Sequence, residues 1–132
     1  MYIDRLTHRV IGMAYQVHNE LGPNLLEKVY ENSLMIELEL AGIPAIQQRP
    51  MPVHYRGQLV GDFKADIVVD NRLILELKAV REIAPEHEVQ LVHYLNLAKI
   101  DDGLLLNFGP SVDVQRKFRI YKPSEIKSPK IP

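Results

Sequence analysis

Two acids and a lysine stand close together in an otherwise oily stretch: Asp66 in Gly61-Asp62-Phe63-Lys64-Ala65-Asp66, then Glu76 and Lys78 in Leu75-Glu76-Leu77-Lys78. Both segments read as β-strands joined by a short turn. Side chains alternate across a strand, so Phe63, Ala65, Ile67 and Val69 are expected on one face and Asp62, Lys64, Asp66 and Val68 on the other. On the next strand Leu73, Leu75 and Leu77 form one face, and Ile74, Glu76, Lys78 and Val80 the opposite one. Burying the odd residues of both strands together sets Val69 opposite Leu73 and Ile67 opposite Leu75. A slip of one residue would turn the leucines into water, so this register is strongly specified. The loop is then Asp70-Asn71-Arg72, a hairpin turn in which an Asn takes the left-handed conformation.

The same register sets Asp66 directly across from Glu76, with Cβ atoms roughly 4.5–5.5 Å apart. Like charges so placed repel. A divalent cation turns that repulsion into binding, because hard ions such as Mg²⁺ take carboxylate oxygens and keep several waters. The competing reading is a solvated polar face on an amphipathic hairpin.

A chain of 132 residues corresponds to one domain with a real core. Its hydrophobic share of 46% and charged share of 25% are those of a soluble globular protein. No apolar run approaches a membrane span, and Met1-Tyr2-Ile3-Asp4 does not read as a signal peptide, so no membrane partner is expected. Cysteine is absent, which excludes disulfides, thiolate metal sites and cysteine nucleophiles and favours an oxygen-liganded ion over zinc. A cytoplasmic location fits. The net charge of -1 argues against bulk electrostatic binding of nucleic acid, so any phosphate-binding surface must be local.

Elements must position these groups. Leu6, Val10, Met13, Ala14, Val17 and Leu21 recur at helical spacing, predicting a helix from about Asp4 or Arg5 to Leu21, stopped by Gly22-Pro23. A second helix is expected from about Leu25 to Ala41. Pro44 to Tyr55 looks extended, and Pro50 and Pro52 make it an edge strand. Arg56-Gly57 turns the chain into the strand of Asp66, and the strand of Glu76 follows. Pro85 opens a third helix running to about Lys99. Leu104 to Phe108 is a nearly all-apolar central strand, and Val114, Arg116, Phe118 and Ile120 alternate as a last one. The expected order is α-α-β-β-β-α-β-β, an α/β fold with a mixed sheet flanked by helices. The domain should span residues 1–121, with a loose Pro/Lys tail over 122–132.

Other polar residues bear on the site. Glu27 follows Asn24 by three residues, the spacing of a capping box in which Glu27 bonds back to the Asn24 amide. Tyr30 shares the helix face of Glu27 and reads as a core residue with its hydroxyl at the boundary. Gln90 and Tyr94 are one helical turn apart, either solvent-facing and packed respectively, or both reaching over the polar face of the sheet. His18, His54, His87 and His93 show no metal-ligand spacing and read as surface or boundary residues. His18 is the exception to watch, since it precedes the loop leading to Glu27. Arg116, Lys117, Arg119 and Lys122 form either a local basic strip or a solvated strand edge protected from aggregation.

Asp66, then Glu76-Leu77-Lys78, then Gln90-Leu91-Val92-His93-Tyr94 resembles the PD-(D/E)XK nuclease superfamily, in its version with a Q-x-x-x-Y helix motif. More narrowly, the chain is similar to the GxxExxY protein family, whose name describes the segment around Glu27 and Tyr30. The likeness runs from Val17-His18-Asn19-Glu20-Leu21-Gly22-Pro23 to Leu104-Leu105-Leu106-Asn107-Phe108-Gly109. Asn24 stands where the naming glycine would be, and Asn tolerates glycine-like backbone better than most residues. Ala65, not Pro, precedes Asp66. The resemblance implies a PD-(D/E)XK restriction-endonuclease-like core. It also implies that Asp66, Glu76 and the Leu77 carbonyl ligate Mg²⁺ or Mn²⁺, with Glu27 as a further ligand.

By the same resemblance Lys78 would orient the attacking water or stabilise charge on phosphorus, Gln90 and Tyr94 would fix the phosphate or the ligand shell, and Tyr30 and His18 would be accessory. Beside two acids, the charged form of Lys78 is favoured, which suits an electrostatic role. The implied activity is metal-dependent hydrolysis of nucleic acid, DNA before RNA, with a homodimer as one way to enlarge the binding surface. The alternative is a nuclease-fold module, catalytically weak or inactive, that binds nucleic acid or protein.

Overall fold

A computed structural model describes residues 1–119; the expected tail over 122–132, together with Ile120 and Lys122, lies outside the described residues. The chain runs α1 (Ile3–Leu21), α2 (Glu27–Leu40), β1 (Ala45–Tyr55), β2 (Gln58–Val69), β3 (Leu73–Lys78), α3 (Pro85–Ala98), β4 (Asp102–Phe108) and β5 (Val112–Phe118), the order expected from sequence. The strands form one sheet in the order β1-β2-β3-β4-β5. Among the described strands only β3 and β4 pair in parallel, joined through α3; the other neighbours are antiparallel. Among the described residues no helix is long and apolar enough to cross a membrane.

Helices cover both faces of the sheet. Leu6, Val10, Ala14 and Val17 of α1 and Tyr30, Leu34 and Leu38 of α2 pack on Ile67, Val69, Leu73, Leu75 and Leu77. Leu91, Tyr94 and Leu95 of α3 pack on the opposite face with Val68, Ile74 and Leu105. Strand β3 is therefore buried on both sides, as a run of Leu and Ile in mid-sheet requires. Each fully buried Leu contributes about 2 kcal/mol by area, so the leucine face alone fixes the register. The ladder pairs Ile67 with Leu75, Val68 with Ile74 and Val69 with Leu73, as the apolar pattern predicts. In the turn, Asp70 and Asn71 both take left-handed backbone, at φ 51 and 56.

Two expectations are corrected. Strict alternation along β2 fails at Asp66. Ile67 and Val69 face α1 and α2, yet Phe63 and Ala65 pack on the α3 side with Val68. The ring of Phe63 meets His93 edge-on at 4.9 Å between centroids and lies 6.1 Å from Tyr94. Strand β1 switches in step, since Ala45 packs toward α1 and α2 and Met51 toward α3. The switch falls where Gln48, between the paired residues Gln47 and Arg49, adopts φ 52. Asp62 and Lys64 consequently do not share a face with Asp66.

The second correction concerns the start of α2. The helix begins at Glu27, with Leu26 as its N-cap and no side-chain cap. Asn24 lies outside the helix at φ 71, so the Asn24–Glu27 capping box does not form. Asn here serves a left-handed turn rather than a cap, which leaves the Glu27 carboxylate free of that duty.

Candidate functional site

The site is a break in the sheet. Continuing the β2–β3 register would pair Asp66 with Glu76, but the backbone ladder ends at Ile67 and Leu75. Side chains take its place. The Asp66 amide donates to Glu76 Oε2 at 2.7 Å, and the Leu77 amide donates to Asp66 Oδ2 at 2.8 Å. From the other neighbouring strand, Gln48 Nε2 donates to Asp66 Oδ1 at 3.3 Å. Asp66 is thus held from both sides at the level where β1 and β2 change face.

Burial makes these acids reluctant to ionise. Glu76 is only 4% exposed, and burial, reinforced by the Asp66 charge, pushes its carboxyl up to about 8. Asp66 is raised by burial, with the Leu77 amide as the main opposing influence. Glu27 is raised by burial and then by Asp66, while Lys78 pulls it down. The charge of Lys78 lowers all three acids, yet among the described residues no direct ion pair includes Lys78. Its ammonium acts on the acids through space.

Buried and half-buried, mutually repelling carboxylates with no soft donor form an oxygen set suited to a hard divalent ion. Mg²⁺ needs one or two protein carboxylates, its remaining positions going to water and phosphate, and Asp66 with Glu76 meets that requirement. Among the described residues no three His, Asp or Glu side chains gather closely enough to enclose an ion. The arrangement is a pair with Glu27 nearby, not a closed cage.

Tyr30 and His18 position the loop that delivers Glu27. The Tyr30 hydroxyl donates to the Gly22 carbonyl at 2.6 Å and accepts the Leu25 amide at 3.3 Å. Its ring stacks on Phe108 at 4.6 Å, with His18 parallel to it at 6.3 Å. His18 Nε2 bonds the Gly109 carbonyl at 2.8 Å, so this histidine is a buried strut rather than a surface residue. On the α3 side, Gln90 Nε2 donates to the Tyr94 hydroxyl at 2.9 Å. Burial and the charges of Glu76 and Asp66 raise Tyr94, which places its phenol within the field of the acids. His87 accepts the Ala84 amide at 3.1 Å and so serves the start of α3.

Two residues of this neighbourhood are absent from the sequence-derived set. Glu31, 1% exposed, accepts from Lys28 Nζ at 2.9 Å and from the amides of Gln47 and Gln48. It therefore anchors the same Gln48 that holds Asp66. Its signal was its spacing, since Glu31 follows Glu27 by one helical turn. Asn107, 2% exposed, accepts the Val80 amide at 3.0 Å and donates to the Val80 carbonyl at 2.9 Å. Its signal was being the one polar residue in Leu104–Phe108.

The basic strip on β5 is internally neutralised. Arg116 pairs with Asp4 at 2.8 Å and Asp102 at 3.1 Å, Lys117 pairs with Glu88, and Arg119 pairs with Asp101 at 2.8 Å.

No curated protein matches the chain. The crystal structure of SSO0001 is similar in fold, with a TM-score of 0.54 at 19% identity over 70% of this chain and 50% of that one. This chain spans about half the length of that protein, and the likeness speaks for the fold alone. A sequence model of the PD-(D/E)XK nuclease superfamily matches residues 4–119, nearly the whole of the described fold. With Asp66, Glu76 and Lys78 converging at the sheet break of a mixed five-stranded α/β core, the chain belongs to the PD-(D/E)XK nuclease superfamily.

Proposed function

We propose that this protein hydrolyses phosphodiester bonds of nucleic acid, DNA foremost, with Mg²⁺ or Mn²⁺ held by Asp66, Glu76 and the Leu77 carbonyl and with Glu27 as a further ligand. The observation that carries this reading is the interlocked pair of half-buried Asp66 and buried Glu76 within the field of Lys78. A narrower place in the GxxExxY family is supported by Asn24, whose φ of 71 supplies the backbone of the naming glycine, and by the Tyr30 hydroxyl bracing the loop before Glu27.

A phosphodiester already carries a negative charge that repels hydroxide. Bound at this site, the ion would lower the pKa of water and neutralise phosphoryl oxygens. Lys78 supplies a fixed positive charge where the transition state gains negative charge, and its freedom from a direct ion pair leaves the ammonium able to meet a phosphate oxygen. The Tyr94 phenol, raised by burial and then by the neighbouring acids, stays protonated as a donor, and Gln90 fixes its orientation. Glu31 and Gln48 hold Asp66 in place without meeting the substrate.

The test is cleavage of single-stranded, double-stranded and branched DNA and of RNA by purified protein, with and without Mg²⁺ or Mn²⁺. Asp66→Ala and Lys78→Ala should each abolish cleavage. Cleavage that survives both substitutions would assign the activity to a contaminant. A protein that binds nucleic acid but never cuts it would be the inactive module instead.

A further inference from the structure

Between segments that flank Glu27 and Lys78 in the chain lies a second feature that the proposed chemistry does not use. A cleft of about 340 Å³ opens between the loop leading to Glu27 and the segment following Lys78, lined by Asn24, Val80, Arg81, Phe108, Gly109 and Pro110. Its size is within the range of small-ligand sites, roughly 300–1,000 Å³.

The floor of the cleft is built, not incidental. Asn107 bonds both the amide and the carbonyl of Val80, at 3.0 and 2.9 Å. A Cβ at position 109 would come within 2.5 Å of the Val80 carbonyl, so only glycine permits this close approach of the two loops. His18 holds the Gly109 carbonyl from beneath, and Phe108 is fixed by its stack on Tyr30. The floor is therefore held in place by these contacts, and the rim carries Asn24 and Arg81.

Arg81, like Lys78, belongs to the cations with no acid partner among the described residues. Lys28, Arg72, Arg116, Lys117 and Arg119 each pair with an acid, whereas among the described residues no ion pair includes Arg81. It stands three residues beyond Lys78 in the chain and lines the cleft.

We infer that this cleft receives the nucleotide unit adjoining the scissile phosphate, with its sugar and base on the Phe108–Pro110 floor and its phosphate on Arg81. The inference rests on the hydrolase reading for the identity of its neighbour, the phosphate held at Asp66 and Glu76. The loop leading to Glu27 and the segment leaving Lys78 both border the cleft, and with the unpaired guanidinium they select a nucleic-acid strand over an uncharged ligand.

The test is fluorescence anisotropy with a labelled single-stranded DNA 12-mer, in chelator and in the Asp66→Ala background, so that turnover plays no part. Arg81→Ala should weaken binding about fivefold at 0.1 M salt and reduce the slope of log affinity against log salt by about 0.7, one phosphate contact on a single strand. Arg81→Glu should weaken it further. Arg56→Ala, which removes a cation lying over the Tyr55 ring at the far hairpin turn, should change neither quantity. Unchanged affinity and slope in both Arg81 variants, or no binding of the 12-mer at millimolar protein, would overturn the inference. Arg81-dependent binding by a wild-type protein that never cleaves would uphold the subsite while removing the hydrolase reading.

Discussion

Asp66 and Glu76 each commit a carboxylate oxygen to the backbone of the opposite strand, the Asp66 amide to Glu76 Oε2 at 2.7 Å and the Leu77 amide to Asp66 Oδ2 at 2.8 Å. The exchange replaces one rung of the ladder with two acids. It fixes both side chains without help from a metal, and it concentrates negative charge where water is largely excluded. That charge destabilises the fold until something positive offsets it.

The first consequence is a dependence of stability on pH. The folded-state value of Glu76, about 8, lies above its ordinary 4.5, so the native protein binds the proton more tightly than the unfolded chain. Its contribution is fully present below about pH 4.5 and is lost as pH rises through about 8. Asp66 and Glu27 are displaced in the same direction. In chelator, denaturant titrations should give a free energy of unfolding that falls between pH 5 and pH 8.5. A rise over that window would show that the acids are not strained.

Glu76→Gln removes the charge and keeps an oxygen to accept the Asp66 amide. The metal-free variant should gain on the order of 5 °C in Tm at pH 8.5 and nearly nothing at pH 5. Cleavage should be lost. Thermal scans at the two pH values read the difference directly.

Glu31 is buried and accepts from Lys28, Gln47 and Gln48, so Glu31→Ala deletes those bonds and leaves the Gln47 amide to Asn32 and the Gln48 amide to Asp66 alone. The expected cost is about 2–3 kcal/mol. Glu31→Gln, which can satisfy part of the network, should cost less. Equal losses would mean that only the volume of the side chain matters.

Tyr30→Phe keeps the ring stack on Phe108 and deletes the bonds to Gly22 and Leu25. About 1 kcal/mol of stability should go. Mn²⁺ affinity should fall as well, because the loop before Glu27 loses its brace. A variant that loses stability yet binds Mn²⁺ as the parent does would confine Tyr30 to packing.

The hairpin that carries the acids was readable because the leucines of β3 tolerate one register only, and that register fixed Asp66 and Glu76 at one level. The face switch at Asp66 was not readable. Period-two counting assumes an unbroken pleat, and the break depends on Gln48 adopting φ 52 while its amide meets Glu31 of α2 and Asp66 of β2. Asn24 misled for a local reason: the residue type that caps helices also tolerates left-handed turns, and here it makes the turn. Glu31 and Asn107 each left a trace, one as an acid a turn after Glu27 and the other as a lone amide in an apolar strand. Periodicity marks such residues as exceptions but does not name the partners they will find.

Calorimetric titration of Mn²⁺ into the wild-type protein, Asp66→Ala and Glu76→Ala near pH 7, repeated in buffers of different ionisation enthalpy, tests the paired-acid site most directly. The expected result is binding by the wild type alone, with heat that varies with the buffer because Glu76 releases its proton as the ion enters. Equal binding by all three proteins, or none by the wild type at millimolar Mn²⁺, would contradict it.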